Sequence, residues 1–296
     1  MSCNNVVLVK QVPDTANVTE EVMRPDGTVN RSKLPAVFNP EDKVALELAL
    51  QLRDRYGGTV TAVTMGPPKA SELLRECLYM GADDVVLVTD RKFAAADTLA
   101  TSYVLAATIR KLGPFDIVFA GRQAIDGDTA QVGPQTAEKL GIPQITYAEQ
   151  IVSFEGQKVI VRRRIDGGYE LLECPTPLLI TVIKEAATPR PFGAKRQMAK
   201  KSARTLPELE ALATSDGSVS LEDRVAAHRD RNLYIRTLSA ADLDVDVERC
   251  GLAGSPTKVK SVASVVLAAE GHREFSATKE GINSLLDNLM GDRVFG

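Results

Sequence analysis

The chain has 296 residues, enough for one large domain or one domain with an appendage, and its 44% hydrophobic content is ample for a core. A formal net charge of −3 excludes the basic excess that nucleic-acid binding needs. Cys3, Cys77, Cys174 and Cys250 lie far apart without CxxC spacing, which indicates neither a zinc or iron–sulfur site nor a disulfide framework and predicts a reducing compartment. The opening stretch MSCNNVVLVKQVPD carries no positively charged leader, and no apolar run reaches membrane-spanning length, so a cytoplasmic protein without membrane insertion is expected.

Residues 5–10 form an apolar run that reads as a first buried strand, closed by a turn signal at Gln11, Val12, Pro13 and Asp14. A long excursion over 11–39 follows, with a hairpin turn at Arg24-Pro25-Asp26-Gly27-Thr28 that suits a small ribbon. Asn39 then caps a helix running to Tyr56, with Pro40 in its first position and Val44, Leu48 and Leu52 along one face. Next come a strand over 59–64, a turn at Met65-Gly66-Pro67-Pro68, a helix over 71–80 ended by Gly81, and a strand over 85–88. Residues 89–97 cross the carboxyl edge, and Asp97 caps a helix over 98–111. Alternation at this spacing predicts an α/β fold: a mostly parallel, doubly wound sheet covered by helices, with ligands at the carboxyl ends of its strands.

The chain is organised around residues 115–140. A buried strand over 115–120 ends at Gly121, and a helix opens at Asp128, Thr129 or Gly133, with Pro134 suited to its first position. Between them lie Asp126, Gly127, Asp128, Thr129 and Gln131. Such a unit aims unpaired N–H groups and the positive end of a helix dipole beyond the sheet, which favours a phosphate. Gly127 permits close backbone approach, Asp126 and Asp128 can accept from ribose hydroxyls, and Thr129 and Gln131 can donate to phosphate oxygens. A plain helix cap at Asp128 or Thr129 is the competing reading. No GxxxxGK[ST] loop is present.

From Tyr147 short alternating strands over 151–154, 159–165 and 169–174 predict an antiparallel meander, followed by a core strand over 178–182. Arg162, Arg163 and Arg164 are consecutive and so cannot share one face. Residues 184–204 read as a basic exposed loop containing Lys195, Arg196, Lys200, Lys201 and Arg204. Residues 205–236 read as a polar insertion with a flexible point at 215–218 and a charged helix over 221–232, and 237–296 as an extended arm closed by an amphipathic helix over 280–290. No His, Cys or paired-carboxylate constellation stands out; His228 and His272 both lie in the polar C-terminal third.

The stretches GRQAIDGDTAQVGPQTAEKLGIPQ and RRRIDGGYELLECPTPLLITV, the Ala-Asp-Thr and Ala-Thr-Ser run at 96–102, and GLAGSPTKV at 251–259 resemble electron-transfer flavoprotein β subunits. They are most similar to the FAD-holding, NADH-dependent, electron-bifurcating group, and the first 183 residues then correspond to the nucleotide and flavin domain of adenine-nucleotide-binding type. The resemblance implies a cofactor site of Leu8, Asn39, Met65, Asp97, Thr98, Thr101, Asp126, Gly127, Asp128, Thr129, Gln131, Val132, Gly133 and Thr136. It implies FAD as cofactor, with AMP as the alternative, and NADH as substrate. The implied partners are an α subunit, which the C-terminal arm wraps, an acyl-CoA dehydrogenase, and ferredoxin or flavodoxin. Docking on the dehydrogenase falls to Phe192, Ala194, Lys200 and Lys201, Ala194 standing where the family usually has Leu. A second departure is Ala95, where the bifurcating group commonly has Gly. Two other readings stay open: an AMP-holding β subunit of a plain electron shuttle, and a free-standing adenine-nucleotide binding protein or ATP-hydrolysing sensor.

Overall fold

The computed structural model describes residues 2–14, 34–216, 219–258 and 273–292. Its centre is a run of parallel strands whose apolar residues are buried on both faces, as the unbroken Val and Leu of β1 (Asn5–Leu8) require. β1 lies between β4 (Val60–Met65) and β6 (Ile117–Gly121), with β5 (Asp84–Val88) beyond β4. Helices α1 (Pro40–Tyr56) and α2 (Ser71–Met80) pack with one apolar cluster, and α3 (Thr98–Leu112) and α4 (Val132–Leu140) with the other. The strand order β5-β4-β1-β6 reverses direction between β1 and β6, which is the switch point where doubly wound sheets open a crevice for ligands.

The remaining elements extend this sheet. β7 (Gln144–Glu155), β8 (Lys158–Ile165) and β9 (Gly168–Pro175) pair antiparallel, and β10 (Leu178–Val182) returns between β6 and β7, parallel to both. The change of pattern expected at Tyr147 starts earlier in space: Gln144 and Ile145 already pair with β10, and the register slips around Tyr147, whose φ is 58°. Arg162 and Arg164 both reach Glu149 from one face, while Arg163 lies against Glu170.

Several expectations change. Gln11, Val12 and Pro13 are not a turn but β2 (Gln11–Pro13), paired antiparallel with β3 (Ala36–Phe38); Pro13 ends the strand, where its missing N–H costs little. The turn expected at 24–28 lies outside the described residues. The basic stretch is not an open loop, because residues from Ala194 form a helix, α5 (Ala194–Lys200). The 205–236 region holds α6 (Leu206–Asp216) and α7 (Leu221–Asp230), and then β11 (Arg236–Leu238) joins the sheet edge parallel to β5. An Arg75–Glu208 ion pair fastens α6 to α2. The closing helix α8 (Lys279–Gly291) carries exposed Ile282, Leu286 and Met290.

Candidate functional site

At the switch point the first turn of α1 grips the chain leaving β6. Asp42 accepts from Gly121 N at 3.0 Å and from Lys10 N at 2.8 Å, tying the carboxyl ends of β6 and β1 together. Glu41 accepts from Gln123 N at 2.8 Å and from the Arg122 guanidinium at 2.9 Å. Asn39 was expected to cap α1, but its side chain makes no cap bond; it donates to Gln123 O at 2.9 Å and accepts from Ile125 N at 3.2 Å. Pro40 and the acidic residues at 41 and 42 leave the helix start little need of a cap, so the amide is spent on a loop 84 residues away.

Burial pushes the Asp42 carboxyl up to about 7, against the pull of its contacts with Asn39, Lys10 and Gly121. The unfolded carboxyl titrates near 3.9, so between about pH 4 and pH 7 the unfolded chain releases a proton that the folded chain keeps. Stability from this group is therefore highest at acid pH and falls by up to about 1.4 kcal/mol per pH unit until the folded group also ionises. Urea melts of parent and Asp42→Asn at pH 5 and pH 8 check this: the parent should lose more stability than the variant across that interval, and equal losses would assign Asp42 an ordinary pKa.

The loop that follows is bent by positive φ at Asp128 (50°) and Ala130 (52°). Asp128 and Thr129 do not open the helix: α4 starts at Val132, its N-cap Gln131 supplies no side-chain bond, and Pro134 is the third helical residue rather than the first. The Asp128 carboxylate instead accepts from Gln123 Nε2 at 2.9 Å. The first N–H groups of α4 thus stay available to an anion. Gly133 is set by packing, since a Cβ there would stand 2.8 Å from Thr181 Cγ2, whereas a Cβ on Gly127 would meet nothing within 4 Å. Lys10 Nζ bonds Asp126 at 2.7 Å across the mouth.

The second wall comes from residues 89–98. Asp97 caps α3 by accepting from Ala100 N at 3.0 Å, and its other oxygen accepts from Thr257 Oγ1 at 2.7 Å. Burial pushes the Asp97 carboxyl up, but the donors from Ala100 and Thr257 outweigh it and hold the group below the usual aspartate range. Thr98 Oγ1 donates to Gln131 Oε1 at 3.0 Å, joining the two loops. Ala95 takes a φ of 58°, the left-handed conformation that suits glycine, at a cost of about 1 kcal/mol.

Together these loops border an open cleft of about 1330 Å³. Leu8, Met65, Asp97, Thr98 and Thr101 line one part of it. Asp126, Gly127, Asp128, Thr129, Gln131, Val132 and Gly133 line the other. Asn39 and Thr136 do not reach it: Asn39 is the loop anchor described above, and buried Thr136 bonds Val132 O within α4. Sequence reasoning missed Arg122, Phe93 and Thr257 on the walls. Arg122 directly follows the strand-ending Gly121, a signal that was there to read; Thr257 lies in the stretch 251–259 that carries the resemblance, but its contact with Asp97, 160 residues away, has no local sign.

The expected docking residues lie apart from the cavity. Phe192 is exposed, meets Tyr79 edge-on and lies under Lys43 Nζ. Ala194 opens α5, Lys200 Nζ donates to Asn232 O at 2.7 Å, and Lys201 is exposed. Among the described residues no helix is long and apolar enough to cross a membrane.

Known proteins agree with this architecture. The Electron transfer flavoprotein domain matches residues 26–211. The electron transfer flavoprotein subunit beta of Clostridium acetobutylicum is 44% identical over 286 residues, 97% of each chain. The acryloyl-CoA reductase electron transfer subunit gamma of Anaerotignum propionicum is 40% identical over 97% of this chain and 98% of its own. Subunit CarD of the caffeyl-CoA reductase-Etf complex of Acetobacterium woodii is 52% identical over 62% of this chain and 70% of its own. With the matched domain spanning the loop at the switch point and full-length likeness to named β subunits, the chain belongs to the electron-transfer flavoproteins, as a β subunit of a family that works in electron transfer with paired α subunits.

Proposed function

We propose that the chain is an FAD-holding β subunit whose heterodimer takes electrons from NADH and divides them. One share goes to ferredoxin or flavodoxin, and the other passes by way of flavin on the α subunit to an acyl-CoA dehydrogenase. Bound flavin would supply two-electron exchange with nicotinamide and one-electron exchange with carriers; orientation and exclusion of water fall to the protein. The Gly127 to Gln131 backbone and the start of α4 suit a diphosphate, and Asp126 suits a ribose hydroxyl. Met65, Phe93 and Leu105 offer an apolar wall, with the Thr101 hydroxyl beside it.

The observation that carries this reading is the extent of the cavity. About 1330 Å³ exceeds the roughly 300–1,000 Å³ usual for small-ligand sites, and the space continues past the phosphate loop to Phe93 and Thr101. AMP would end at the loop and leave that far part unused. The relatives named for acryloyl-CoA and caffeyl-CoA reductases favour a CoA-ester enzyme as partner. Anaerobic NADH titration of the purified heterodimer is the test: the flavin absorbance should bleach stoichiometrically, and an unchanged spectrum would favour the AMP-holding shuttle. Recovery of this chain without any flavin-bearing partner would favour the free-standing nucleotide binder.

A further inference from the structure

The segment that follows β11 folds back over the second wall of the cavity. Ala240 N donates to Asp90 at 3.0 Å, and Asp246 N donates to the Tyr103 hydroxyl at 2.9 Å. Arg249 lies 4.3 Å over the Tyr103 ring. Gly251, at φ 55°, passes so close to the wall that a Cβ would stand 2.2 Å from Lys92 O and 2.9 Å from Ala94 O. The segment then closes on Asp97. Ser255, 4% exposed, accepts from Asp97 N at 2.8 Å and donates to Gly251 O at 2.6 Å. Thr257 donates to Asp97 Oδ2 from its backbone N at 3.1 Å and from Oγ1 at 2.7 Å.

Both Asp97 oxygens are thereby engaged, Oδ1 by Ala100 N and Oδ2 by Thr257. Asp97 thus ties the 91–98 loop to the segment that carries Thr257. We propose that Ser255 and Thr257 are positioning residues of the nucleotide site: by holding Asp97 they fix the 91–98 wall, so the site is complete only with segment 246–257 folded back. This rests on the nucleotide reading given above and adds residues that it lacks. The coupling is reciprocal, so whatever loosens the segment weakens nucleotide binding, and bound nucleotide protects the segment.

The test uses the full chain co-purified with its α subunit, stripped of ligand and retitrated with FAD and with AMP, beside amide hydrogen exchange of the stripped protein. Thr257→Val removes the hydroxyl donor and keeps the shape, while Thr257→Ser restores the donor. Thr257→Val is expected to weaken FAD binding about tenfold, since a hydrogen bond to a charged group is lost. It should also speed exchange at residues 91–100, with β1 and β6 unchanged and Thr257→Ser close to the parent. AMP, which would not reach this wall, should lose less. Parent-like FAD affinity in Thr257→Val, or faster exchange confined to 250–258, would overturn the inference. A parent that binds neither FAD nor AMP would sink the nucleotide reading itself, and the exchange of residues 91–100 would still decide whether Thr257 braces the wall.

Discussion

Asn39→Ala is expected to melt well below the parent and to lose at least tenfold in nucleotide affinity, although the Asn39 side chain does not reach the cavity. The side chain is fully buried, and its amide serves Gln123 O and Ile125 N. Removing it orphans both groups, at about 1–3 kcal/mol each when no water replaces the partner. Glu41 and Asp42 still hold Gln123 and Gly121, so the loop should loosen locally while the sheet persists. Thermal melts and FAD titration of the heterodimer check this together. Parent-like melting combined with an affinity loss would instead make Asn39 a ligand contact, as the family resemblance has it.

Gly127→Glu should have the opposite profile, leaving stability within about 0.5 kcal/mol of the parent while cutting FAD affinity more than tenfold. A Cβ at this position meets nothing within 4 Å, so the fold does not object to a side chain. The ligand does: a carboxylate beside the N-terminus of α4 takes the place and the sign of charge that a diphosphate needs. AMP, with one phosphate, should suffer less, and the variant is expected to shift preference toward it. Competitive titration of FAD against AMP reads that ratio. An unchanged ratio would remove residue 127 from the ligand path.

The parallel core was legible because its strands are short apolar runs and its helices end at glycines such as Gly81, which caps α2 at φ 122°. Local rules failed where distant contacts decide. Asp128 and Thr129 carry a strong cap signal, yet the bend at Asp128 carries the chain past both before α4 begins. Asn39 reads as a cap from its neighbours, but its partners are Gln123 and Ile125. β11 is three residues, Arg-Thr-Leu, without an apolar run, and only the free edge of β5 makes it a strand. The lining residues near the two loops follow from motifs rather than periodicity, and although Thr257 lies in the quoted stretch at 251–259, nothing near it in sequence marks its contact with Asp97.

The most direct test of the FAD reading is the ligand content of the heterodimer. Acid-released nucleotides from freshly purified protein, separated by chromatography and counted against protein, should give two FAD per heterodimer and no AMP. One FAD with one AMP would contradict the account and leave a plain electron shuttle whose flavin belongs to the α subunit alone.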